Sequence, residues 1–170
     1  MRYLFLFISF CSFSQEVFKP LEPQKEFKPL RITSALKADG HLDEAEWDKA
    51  PFVNLDFQVE PFQGQKASFN SKIKLLYNNQ FLYVAAILHD TVGKNAYRAP
   101  NLKRDYAFVE NDLIGIAIDG FNDKRNAIVL QSNAYGAQRD LLSFDDRQFD
   151  IDWDGLFRVR THRSDSSWVA

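Results

Sequence analysis

The sequence predicts an all-β domain, an antiparallel two-sheet β-sandwich of the jelly-roll or immunoglobulin-like kind, with one short helix near the N-terminus. Three observations carry this reading. Short apolar runs recur along the chain, and several alternate with polar residues at the period of two that marks a half-buried strand. Turn-forming groups stand between the runs: Asp39-Gly40, Asn78-Asn79, Gly120 with Asn122 and Asp123, and Ala134-Tyr135-Gly136-Ala137. Aromatic residues make up 15% of the 170-residue chain, with 16 Phe, a composition that favours sheet. No helical pattern is long enough to link parallel strands.

Taken in order, Met1–Ser14 reads as a signal peptide: Arg2, an apolar run Tyr3–Phe10, and small residues at Ser12 and Ser14 for cleavage before Gln15. The run is too short to span a bilayer as a helix. The single cysteine, Cys11, falls within it, which leaves the domain no thiol for a disulfide or a Cys-based metal site. A lipid anchor on Cys11 is the alternative, opposed by bulky Phe10 where such signals want a small residue. Residues 15–29, with Pro20, Pro23 and Pro29 among charges, read as an extended leader, and the domain covers 30–170. The formal charge of -2 gives no basic excess, so nucleic acid is not an expected partner.

Arg31-Ile32-Thr33 is the first expected strand. Asp39-Gly40-His41-Leu42-Asp43-Glu44-Ala45-Glu46-Trp47 then reads as a turn followed by one helical turn. Asp43 and Glu46 have the spacing of a capping box, and Leu42 with Trp47 that of a hydrophobic staple. Pro51 stops the helix by disfavouring α geometry at Ala50. Val53, Leu55, Phe57 and Val59 alternate with polar residues in a half-buried strand, and a polar loop follows from Pro61 to Asn70. Ile73, Leu75 and Tyr77 lead through Asn78-Asn79 into the continuous apolar run Phe81–Leu88, a hairpin with a central second strand. Thr91–Asn111 is a long irregular connection, of the kind that often carries function. Further strands are expected at Leu113–Ile118, Ala127–Leu130, Leu156–Thr161 and from Trp168 onward.

The Asp39–Trp47 run resembles the D-G-x-L-D-E-x-x-W opening of family 9 carbohydrate-binding modules. Later segments fit in the same order: Lys103-Arg104-Asp105, Asn111-Asp112, Ile118 to Asn126, Asn133 to Asp140 as N-x-x-G-x-Q-x-D, and Trp153-Asp154. Within that family they are most similar to the N-terminal module of large outer-membrane-associated proteins. In those proteins the pattern runs on past Trp168-Val169-Ala170, so the expected sandwich lacks its last strand or two.

The resemblance implies an exported, non-catalytic carbohydrate-binding domain serving polysaccharide binding or catabolism at the cell envelope, in the periplasm, the outer membrane or outside the cell. Its partners would be a glycan or polysaccharide and a C-terminal outer-membrane barrel region. A structural or docking module without a sugar site is the alternative, and part of a glycoside hydrolase the third reading. Sugar recognition needs aromatic faces for stacking and polar groups for the hydroxyls. The candidates are Trp153, Tyr97 and Tyr106 as aromatics, with Arg104, Asn111, Gln138 and Arg139 as polar partners. Asp150-Ile151-Asp152-Trp153-Asp154-Gly155 has the D-x-D-x-D-G form of a calcium loop, so Asp150, Asp152 and Asp154 are candidate calcium ligands. Thr161 stands at the twelfth position, where an EF-hand has Glu. No nucleophile elbow or histidine metal pattern points to catalysis.

Overall fold

The computed structural model describes residues 25–170 except 92, 146 and 147; the expected signal segment and Cys11 lie outside the described residues. In chain order the elements are β1 (Leu30–Arg31), α1 (Ala45–Lys49), β2 (Phe52–Phe57), β3 (Lys66–Tyr77), β4 (Leu82–His89), a 3-10 turn (Phe108–Glu110), β5 (Leu113–Ile118), β6 (Ala127–Asn133), β7 (Gln138–Phe144), β8 (Gln148–Asp150), β9 (His162–Arg163) and β10 (Ser167–Val169). They form two sheets. One runs β1-β3-β4-β10-β9, with β2 also bonded to β3, and the other runs β5-β6-β7-β8. All pairings are antiparallel except β1 with β3. The architecture is the expected open β-sandwich.

Alternation decides which side chains meet between the sheets. Leu88 of β4 stands opposite Trp168 of β10, and Trp168 is buried with Tyr97 and Ala134 against Ile114 of the second sheet. The other face of the first sheet has its own core. There Leu76 of β3 and Ala85 of β4 bury Trp47, Ile32 and Ala50, with Leu36, Leu42 and Tyr83 around them.

The Trp47 corner thus folds as expected in its packing but not in its capping. Leu42 joins the same cluster as Trp47, and Ala50 closes the helix before Pro51. Glu44, not Asp43, is the N-cap residue, and no side chain caps the helix. Glu46 instead accepts from Ser34 Oγ at 2.6 Å, which holds its carboxyl below the usual carboxylate range, and Glu44 accepts from Lys37 N–H at 3.1 Å. Both carboxylates are engaged by the preceding loop, so the capping-box expectation fails. Gly40, at φ +88°, fits where any Cβ would lie 2.9 Å from the Thr161 carbonyl carbon. The corner is therefore clamped against β9, and His41 meets His162 with ring centroids 4.6 Å apart, a contact the sequence did not suggest.

Two other strand expectations are corrected. β2 is bonded only to β3, and Phe52, Leu55 and Phe57 remain exposed, as does Val59 beyond it; the alternation marks a strand but not a covering layer. Leu156–Thr161 alternates in burial as expected but joins no ladder. β7 and β8, which lie between the expected strands Ala127–Leu130 and Leu156–Thr161, are ordinary antiparallel strands that the sequence reading did not include.

Candidate functional site

Residues of β7 point alternately to the two faces of their sheet, so Gln138 and Asp140 share one face and Arg139 takes the other. This separates the predicted site residues into distinct places.

On the first face, Arg104 from the long connection reaches over β7. Its Nη2 donates to buried Asp140 Oδ1 at 2.6 Å and to the Gly155 carbonyl at 3.3 Å, and its Nη1 donates to Gln138 Oε1 at 3.2 Å. Nε pairs with Asp154 at 3.0 Å and approaches Asp105 at 3.6 Å. The other Asp140 oxygen accepts the Gly155 N–H, and Gln138 Nε2 donates to the Phe157 carbonyl at 3.1 Å. One guanidinium fork thus ties the loop, β7 and the Trp153-Asp154-Gly155 turn together, the arrangement for which Arg's fixed planar donors are suited.

Trp153 lies against this turn, half-buried. A Cβ on Gly155 would fall 2.7 Å from Trp153 Cη2 and 2.8 Å from Cζ3, so only glycine lets the indole lie where it does. At the same turn, Arg104 keeps 37% of its side chain exposed and Asp154 keeps 77%. A partly open indole flanked by a guanidinium and a carboxylate offers both contacts that a sugar requires: a flat apolar face and hydroxyl-binding groups.

On the opposite face, Arg139 donates to Gln131 Oε1 at 2.5 Å and lies 5.8 Å from the ring centre of exposed Phe108. Phe108 was not among the sequence candidates; its place at the end of the long connection was the available signal. The remaining candidates are structural. Asn111 is buried, donating to the Ala107 carbonyl at 2.8 Å and accepting from Asn133 at 3.0 Å. Tyr97 is buried with its hydroxyl 3.5 Å from the Ser164 carbonyl, and Tyr106 is 2% exposed with an unpartnered hydroxyl. Burial pushes the Tyr106 hydroxyl up to about 12, against the opposing pull of Arg139. As stacking platforms Tyr97 and Tyr106 are corrected: neither presents a ring face to solvent.

The acidic turn is open at Asp150, Asp152 and Asp154, but its carboxylates are not gathered. Asp150 Oδ1 accepts the Asp152 N–H at 3.0 Å, while Asp154 is held by Arg104. Among the described residues, no group of three or more His, Cys, Asp or Glu is arranged to hold a metal ion. The turn as it stands does not fit the oxygen cage that calcium takes.

No curated protein and no solved structure matches this chain. The sequence model of the family described as carbohydrate family 9 binding domain-like matches residues 38–169, most of the chain and all of the two-sheet core after β1. On that match, the chain belongs to the carbohydrate family 9 binding domain-like family.

Proposed function

We propose that this chain is an exported, non-catalytic glycan-binding module that takes a sugar at Trp153, with Arg104, Asp154 and Gln138 around the ring. The observation that carries the reading is the half-open indole held over Gly155 beside a solvent-reaching guanidinium and carboxylate. Family membership supports carbohydrate as the ligand class. The Arg2 charge, the apolar run and Ser12-Phe13-Ser14 support export to the periplasm, the outer membrane or the exterior, and the resemblance to large outer-membrane-associated proteins suggests a barrel region as partner in a larger protein. Asp140 and Asp154 both bond Arg104, and that engagement argues against their acting as a glycosidase pair. A glycan-array screen of the purified chain tests the reading. Retention of at least one poly- or oligosaccharide is expected; none across the set would overturn it.

A second reading, a docking module without a sugar site, is favoured by the exposed apolar side chains Phe52, Leu55 and Phe57 on β2 with Phe62 beyond it. Under that reading the glycan screen is blank.

A further inference from the structure

Arg98, Arg104 and Arg125 pair with carboxylates, as Lys25 does with Asp56. Arg31, Arg139 and Arg163 are engaged by Asn79, Gln131 and the Ala134 carbonyl. Arg158 and Arg160 differ. Neither forms an ion pair among the described residues, and the bond Arg160 makes is to the carbonyl of its own neighbour Val159, at 2.8 Å.

Both stand on the segment that leaves the Trp153 turn. From Leu156 to Thr161 burial alternates, with Leu156, Arg158 and Arg160 exposed and Phe157, Val159 and Thr161 half-buried between them. The segment is held at both ends: the Phe157 carbonyl accepts from Gln138 Nε2 at 3.1 Å, and the Thr161 backbone packs on Gly40. Alternate side chains of an extended chain stand about 6.6 Å apart on one side. One apolar side chain and two guanidinium groups therefore follow in a row, beginning one residue after Gly155, against which the Trp153 indole lies.

The row ends at a cavity of about 110 Å³ that Arg158 and Arg160 line together with Lys37 and His41. No carboxylate side chain lines it. The carboxylates close by in sequence are engaged by backbone: Glu44 accepts the Lys37 N–H at 3.1 Å and Asp39 the His41 N–H at 2.9 Å. Trp47 also lines the cavity, is 5% exposed, and has no acceptor for its Nε1–H. A buried donor left without an acceptor costs free energy. Unpaired cations and an orphan donor thus favour the same occupant, a negatively charged oxygen acceptor.

We propose that the glycan taken at Trp153 is acidic, a uronate-bearing polysaccharide that runs along Leu156, Arg158 and Arg160 and places a carboxylate in this cavity. The proposal rests on the Trp153 reading and adds the charge of the ligand. A guanidinium fork matches the two oxygens of a carboxylate, and Leu156, wholly exposed, meets the carbons of a sugar ring. Asp150, Asp152 and Asp154 repel a carboxylate at the indole itself, so the charged sugars lie beyond Gly155. Because the row is open to solvent, added salt weakens its hold.

Affinity gel electrophoresis tests this with polygalacturonate and alginate, each also in its carboxyl-reduced neutral form, and with dextran sulfate. Three variants, each shown folded by circular dichroism, accompany the wild type. Arg158→Ala/Arg160→Ala empties the row. Lys66→Ala/Lys94→Ala removes the same charge from exposed positions at the far end of the β3–β4 hairpin from Leu82. Trp153→Ala removes the indole. At least one polyuronate is expected to bind wild type about tenfold more tightly than its reduced form, the worth of one charge-assisted hydrogen bond. That preference should vanish in the arginine variant, shrink with salt and survive in the lysine variant, while Trp153→Ala loses both polymers. Retardation by neutral polymers with no preference for the acidic forms overturns this inference and leaves the Trp153 reading standing; no retardation by any polymer overturns both. Equal losses in the two double variants, or dextran sulfate binding as tightly as the polyuronates, mark attraction to any polyanion and overturn it. Polyuronate retained by Trp153→Ala as by wild type separates the row from the indole and overturns it too.

Discussion

Arg104 carries more of the site than any other side chain, because Asp140 beneath it is fully buried and pairs with no second cation among the described residues. Arg104→Ala leaves that carboxylate without its charge partner, which costs about 2–4 kcal/mol, the low side of the range for a buried pair since Arg104 is partly exposed. Urea titration of the variant measures this; a loss under about 0.5 kcal/mol would mean that the pair is not structural. Gly155→Ala forces a methyl into the Trp153 ring and should cost about 1–3 kcal/mol by overpacking, with a shift in the indole emission. Unchanged emission and stability would refute the close approach of the Trp153 ring to Gly155. Tyr106 gives the pH test. Its proton is held more tightly in the folded chain, so its contribution is complete below about pH 10, the free tyrosine value, and is lost as pH rises towards 12. Tyr106→Phe removes an unpartnered buried hydroxyl, is expected to be neutral or stabilising, and should flatten the stability loss between pH 10 and 12. A destabilised Phe variant would show that the hydroxyl has a partner.

At the level of elements, the sequence was most legible where one periodicity and one turn agreed. Leu113–Ile118 is a strand at the expected bounds, and Phe81–Leu88 differs from β4 by one residue at each end. The Asn78-Asn79 hairpin holds because Asn78 Oδ1 accepts the N–H groups of Gln80 and Phe81, a local bond its side chain dictates. Trp47 was legible as core for the same reason: its corner has a stop, a turn and an apolar neighbour. Trp47→Ala should cost about 3–5 kcal/mol, measured by chemical denaturation, and less than about 1 kcal/mol would remove it from the core. What failed was partner choice. Glu46 had the spacing for a cap but found Ser34, and β7 opens with Gln-Arg-Asp, of which Gln138 and Asp140 take their partner from Arg104, which arrives from a distant loop. Tyr97 and Tyr106 likewise sit in an irregular segment whose inward packing no local pattern encodes.

Across the whole molecule, the sandwich brings a long connection, a central strand and a late turn to one place, and Trp153 gains its neighbours only there. Segments 104, 138–140 and 153–155 share no sequence proximity, so the candidate residues could be guessed by type but not assigned to faces. Gln138 and Arg139, adjacent in sequence, part to opposite sides of the sheet, and only one of them belongs with Trp153. The central claim is that the half-open indole is the sugar-binding surface. Affinity gel electrophoresis on a glycan that retards the wild-type chain tests it most directly, comparing Trp153→Ala with Phe108→Ala at a temperature where circular dichroism shows both folded. Trp153→Ala is expected to lose retardation while Phe108→Ala, on the opposite face, keeps it. Retention by the Trp153 variant equal to wild type, or its loss only with Phe108, would contradict the claim.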